Sequence, residues 1–138
     1  QDRRHRRQDS MILDTTVLID LQKELRREQP GAASRLLETS GDGLVFITFV
    51  TWMEFAEGFG DDDRLACERF LSGFRVLWPD VDTAWHAARV SRSLRASGGP
   101  IGDHDLWIAA LALQHGRMVV SRNEQHFRRV PALAFRAY

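Results

Sequence analysis

Apolar positions along this chain alternate between short continuous runs and stripes spaced three and four residues apart. "MIL" (11–13) is a short run that reads as a strand, and Leu18, Leu21 and Leu25 then share one helical face until Pro30-Gly31 stops the pattern. "AASRLLET" predicts a second short helix ending near Gly41 and Gly43. "LVFI" (44–47), β-branched and aromatic, predicts a buried strand, and "TFVTWMEFAEG" turns helical up to Gly58. From Asp61 to Leu77 the spacing of Cys67, Phe70, Leu71 and Phe74 predicts an amphipathic helix, which makes Cys67 a core residue and not a nucleophile. Another helix starts near Asp82, with Ala84, Ala87, Ala88, Ser91 and Leu94 inward, and breaks at Ser97-Gly98-Gly99-Pro100. "LWIAALAL" (106–113) is apolar nearly all round and predicts a buried helix, followed by strands at "MVV" (118–120) and, more weakly, "LAF" (133–135).

Strands alternating with helices predict an α/β fold, a short, mostly parallel sheet of four to five strands flanked by helices on both faces. Ligands of such sheets gather where the strands end at their carboxyl edge, which is where Asp14 and Ser121 fall.

Composition narrows the class without naming it. The 138 residues, 43% of them hydrophobic, fit one compact domain, and no run approaches the roughly 18 apolar residues of a membrane span. The first ten residues, "QDRRHRRQDS", contain no apolar side chain and read as an N-terminal extension or an added remnant, with the domain over 11–138. A single cysteine, Cys67, allows neither an internal disulfide nor a cysteine metal cluster and suits a reducing, cytoplasmic setting. Net charge is zero, so contact with a polyanion would need a local arginine patch.

Four polar clusters carry candidate chemistry. Asp14 follows its strand and precedes Thr15-Thr16, so it is a helix cap or a ligand. Glu54 lies in "TWME", a capping-box pattern, but Thr48 is the better cap, which leaves an acid among Trp52, Met53 and Phe55. Such an acid is costly unless paired or bound to a cation. In "GDHDLWIAA" (102–110) one cap accounts for Asp103 but not for Asp105 as well. Asn123, in "SRNEQHF", is a loop or capping asparagine or a neutral oxygen donor. Together these oxygen donors at element ends resemble a hard-cation site for Mg²⁺ or Mn²⁺. His104 has no second histidine to pair with and is set aside.

"MILDTTVLIDL", "FITFVTWMEFAEG", "GGPIGDHDLWIAALAL" and "VVSRNEQHF", in that order over 11–138, resemble the PIN-domain ribonucleases, specifically the VapC-type toxins of toxin–antitoxin modules. The resemblance implies a PIN-like fold and a Mg²⁺- or Mn²⁺-dependent endoribonuclease that cuts RNA in single-stranded loops to arrest translation. It implies Asp14, Glu54 and Asp105 as metal-binding and catalytic acids, and Asn123 where many relatives carry a fourth acid. Thr16 and Ser121 match supporting polar positions, and Asp103 matches a cap or a water-mediated support. Arg89, Arg92 and Arg95 before "GGPIG", and Arg122, Arg128 and Arg129 beside the last motif, are candidate RNA contacts. The implied partners are a VapB-like antitoxin, touching the helices after Asp14 and around Phe55 and Phe59, and a second copy in a homodimer. Of the tryptophans, Trp52, Trp85 and Trp107 are expected in the core and Trp78 partly exposed. Two alternatives are a catalytically silent PIN-like binding module and a haloacid-dehalogenase-like, metal-dependent phosphatase. The latter needs an aspartate where Thr16 stands.

Overall fold

A computed structural model describes residues 10–41 and 44–138, so Gly43 and the extension up to residue 9 lie outside the described residues. Five strands form one sheet in the order β3-β2-β1-β4-β5: β1 (Met11–Leu13), β2 (Val45–Thr48), β3 (Arg75–Leu77), β4 (Met118–Ser121) and β5 (Phe135–Ala137). Every neighbouring pair is parallel, so all carboxyl ends lie on one edge. Seven helices connect them: α1 (Thr15–Arg27), α2 (Ala32–Thr39), α3 (Phe49–Ala56), α4 (Arg64–Leu71), α5 (Val81–Ala96), α6 (Asp103–His115) and α7 (Glu124–Phe127).

Alternation along the central strand explains the two-sided core. Met11 and Leu13 pack with Leu18, Leu21, Leu36, Phe55 and Leu71 on one face, while Ile12 packs with Val90, Leu94, Ile108 and Phe127 on the other. Because helices cover both faces, the strands read as continuous apolar runs, and the sheet-and-helix expectation holds. Cys67 is buried in the first cluster, where burial pushes its thiol pKa up, as a core residue requires. Ser10 is also buried, and its carbonyl accepts from the Met118 amide.

Three elements differ from the sequence reading. The last strand is Phe135–Ala137 and shares only Phe135 with the expected 133–135. The helix expected through Leu77 stops at Leu71, and Arg75–Leu77 pairs with β2 as an edge strand in the register Ile47 to Val76. A three-residue strand is set by its partner, not by its own periodicity. On α5 the inward face is Thr83, Ala87, Val90 and Leu94; Ala84 and Ala88 point outward, and Trp85 is exposed instead of core. The helix begins one residue earlier than expected, under an Asp80–Thr83 capping box, and its buried stripe runs in four- and three-residue steps from Thr83, which leaves Trp85 on the outer face.

Candidate active site

The carboxyl edge brings the ends of β1, β2 and β4 together. Leu13 pairs with Val120, and one step further Asp14 and Ser121 leave the sheet side by side. Asp14 is both cap and site residue: Oδ1 accepts from the Thr15 amide at 2.8 Å, and Oδ2 accepts from Ser121 Oγ at 2.6 Å. Thr48 caps α3 by accepting from the Thr51 amide, so Glu54 sits in the second turn and faces α1. Glu54 Oε1 accepts from Thr15 Oγ1 at 2.8 Å. Thr15, which the sequence reading did not single out, therefore supplies the hydroxyl that orients Glu54, with the partly buried Thr16 beside it in the chain.

Gly102 occupies the N-cap of α6 and Asp103 is its first helical residue, which corrects the assignment of Asp103 as cap. Asp103 is exposed and lines a cleft with Ser91, Arg95, Pro100, Ile101 and Leu106. Asp105 lies in the same first turn, where the helix dipole favours a carboxylate, and its side chain is only 16% exposed. Asn123 precedes α7 but makes no side-chain cap; its Nδ2 donates to Asp105 Oδ2, and its amide donates to Ser121 Oγ at 3.0 Å. Asp14 and Asp105 are thus joined through Ser121 and Asn123.

Two histidines that sequence reasoning left out flank these acids. His126 Nδ1 is 2.7 Å from Asp105 Oδ2, and His104 Nδ1 is 3.4 Å from Glu54 Oε2. The "NEQHF" spacing placed His126 three residues after Asn123 on the same short helix, which was the available signal. Burial first, and then the charges of Asp105 and Glu54, raise the Asp14 carboxyl above its ordinary value, against the lowering effect of Ser121 and the Thr15 amide. Like charges gathered at a partly buried edge need a counter-charge. Among the described residues, no three His, Cys, Asp or Glu side chains form a ready metal cage. The donors at hand are carboxylate and amide oxygens, the set that hard divalent cations take.

The arginines differ in availability. Arg89 stacks over Trp85 at 4.5 Å and Arg92 is exposed on the same helix. Arg122 pairs with Asp20 at 2.9 Å and lies over the Tyr138 ring, whose hydroxyl also donates to Asp20. Arg128 pairs with Glu124, and Arg129 Nε donates to the Gln125 carbonyl. No helix among the described residues is long and apolar enough to cross a membrane.

The family model described as PIN domain matches residues 11–133. Ribonuclease VapC1 of Haemophilus influenzae is 32% identical over 127 residues, 88% of this chain and 92% of that protein. The solved VapBC-1 structure from nontypeable Haemophilus influenzae superimposes with a TM-score of 0.70 at 25% identity, covering 93% of this chain and 97% of that one. VapBC2 from Rickettsia felis, solved bound to a DNA fragment from its promoter, gives a TM-score of 0.78 at 19% identity over 94% of this chain and 98% of that one. The sheet order, the acids at its carboxyl edge and these matches converge: the chain belongs to the PIN domain family, in its VapC branch.

Proposed function

We propose that this chain is a divalent-metal-dependent endoribonuclease that cuts RNA in single-stranded loops, and that it acts as the toxin of a cytoplasmic toxin–antitoxin module. The observation that carries the reading is the gathering of Asp14, Glu54 and Asp105 at one sheet edge, close enough that the latter two raise the Asp14 carboxyl. The name ribonuclease VapC1 borne by its Haemophilus influenzae relative supports the reaction class.

When bound, Mg²⁺ or Mn²⁺ supplies Lewis-acid neutralisation of charge on the scissile phosphate. Asp14 and Asp105 would hold the cation through oxygen, and the neutral Asn123 would keep the charge count below that of four acids, which would favour one cation over a pair. Glu54, with Oε1 fixed by Thr15, orients the attacking water and takes its proton through Oε2. Around acids that repel phosphate, cations must hold the RNA. Arg95 shares a cleft with Asp103 and is the first candidate for this, with Arg89 and Arg92 exposed on the same helix, whereas the charge of Arg122 is engaged by Asp20.

The VapBC-1 structure supports a VapB-like antitoxin as partner. Phe55 is buried, so contact on that side would run through the groove lined by Trp52, Ala56, Phe59 and Arg64, with Ile19 and Leu25 exposed on α1. A homodimer is supported by Trp78, Val81 and Trp85, which are 64%, 81% and 62% exposed around the start of α5. Large apolar side chains exposed so close together suit contact with a second copy.

Titrating Mg²⁺ or Mn²⁺ into an RNA cleavage assay tests the reaction: cleavage should appear with metal and stop on chelation. Robust cleavage in excess chelator would sink the metal nuclease, and no cleavage of any RNA under any metal would favour the silent binding module.

A further inference from the structure

We propose that His126 is a positioning residue for Asp105: its Nδ1–H clamps one carboxylate oxygen so that the other, Oδ1, is presented to the cation. The inference rests on the reading of Asp105 as a metal ligand.

Proton bookkeeping at Asp105 fixes the arrangement. An ionised carboxylate only accepts, so a ring nitrogen 2.7 Å from Oδ2 must carry a hydrogen, which sets the tautomer of His126. Asn123 Nδ2 donates to that same oxygen at 2.5 Å. The 2.9 Å between Asn123 Nδ2 and His126 Nδ1 is then the spacing of two donors converging on one acceptor, not a third hydrogen bond. Two N–H groups occupy Oδ2, and among the described residues none donates to Oδ1. Rotation of the carboxylate would break both bonds to a charged acceptor, the stronger kind of hydrogen bond.

Tertiary packing puts the imidazole there. A four-residue helix does not hold itself, but Phe127, the next residue, is fully buried and stacks on Phe135 with ring centroids 5.8 Å apart. His126 is therefore anchored by its neighbour while its own side chain is 36% exposed, so its contact with Asp105 is not needed to fill the core.

Calorimetric titration of Mn²⁺ into the intact protein, with thermal midpoints by circular dichroism, tests the role. His126→Leu should weaken Mn²⁺ binding about 10- to 100-fold, the usual effect of removing a hydrogen-bond partner behind a ligand. His126→Asn, whose amide nitrogen can stand where Nδ1 stands, should recover binding to within a few-fold of wild type, with its midpoint at the wild-type value. Wild-type affinity in His126→Leu overturns the proposal and leaves the metal reading standing. Equal loss in both variants with lowered midpoints also overturns it, as damage to the fold. A wild-type protein that takes up no Mn²⁺ overturns the metal reading itself, and this inference with it.

Discussion

The Ser121 hydroxyl donates to Asp14 Oδ2 at 2.6 Å and accepts from the Asn123 amide at 3.0 Å. One buried side chain at the end of β4 therefore ties the acid after β1 to the loop that holds Asp105. Ser121→Ala removes a donor to Asp14 and strands the Asn123 amide. Stability in urea should fall by about 1–3 kcal/mol, the cost of leaving a polar group unmatched. Initial cleavage rates should fall about 10- to 100-fold, because the acid loses its orienting partner. Rates equal to wild type would show that Asp14 does not need the hydroxyl.

Asp14 also sets a pH dependence in chelator. Its folded-state pKa is raised above the ordinary 3.8, by burial first and then by Asp105 and Glu54. The folded state thus holds its proton longer than the unfolded chain, and stability declines as pH rises through the ordinary carboxyl range to the folded value. Asp14→Asn keeps one oxygen to accept from the Thr15 amide and turns its Nδ2 to Ser121 Oγ, which then accepts instead of donating, while the charge is removed. At pH 7 without metal the variant should melt higher than wild type by a few degrees, roughly the effect of 1 kcal/mol. The gap should close below pH about 3.8, where wild-type Asp14 is neutral in both states. A variant that melts lower than wild type at pH 7 would contradict the crowding of charge.

Asp105 separates a ligand from a cap. Gly102 holds the cap position and the Asp105 side chain turns to Asn123 and His126, so Asp105→Asn should abolish cleavage while moving the thermal midpoint little. A first-turn carboxylate contributes about 0.3–1 kcal/mol through the helix dipole when exposed and up to about 2 kcal/mol when partly buried, as Asp105 is. Loss of several times that amount on thermal melting would return Asp105 to a structural role.

What the sequence made legible were groups whose neighbours in the chain betray them. Asp14 stands directly after an apolar run, Glu54 sits inside an apolar helix already capped by Thr48, and Asp105 is a second acid before "LWIAA". Contacts between distant segments were not legible. Thr15 meets Glu54 across 39 residues and His126 meets Asp105 across 21, and no local pattern encodes such a pairing. The resemblance points to Thr16 and is silent on Thr15, whose hydroxyl the first turn of α1 aims at Glu54. Similarly, Trp85 is expected in the core, whereas α5 buries the stripe Thr83, Ala87, Val90 and Leu94 and leaves Trp85 exposed. The five-strand parallel sheet is readable in outline because β1, β2 and β4 coincide with apolar runs between breakers, while the last strand, Phe135–Ala137, overlaps its expected run only at Phe135. Arg75–Leu77 was lost in a helical pattern that Gly73 interrupts.

Glu24 carries a structural role hidden in the same way. Helix α2 starts at Gly31, which has no side chain to cap it, and the Glu24 carboxylate reaches over from α1 to accept from the amides of Gly31, Ala33 and Ser34. These bonds, the one from Ser34 foremost, hold its pKa at about 2 against an ordinary 4.5. A depressed carboxyl pKa contributes stability that is fully present above the unfolded value and lost as pH falls through the folded one. Wild type should therefore outlast Glu24→Gln in urea at pH 6, with the difference shrinking below pH about 4.5 and vanishing near pH 2. Glu24→Gln keeps one acceptor oxygen, so a drop in stability that is the same at pH 6 and pH 2 would point to lost shape and not to the lost charge.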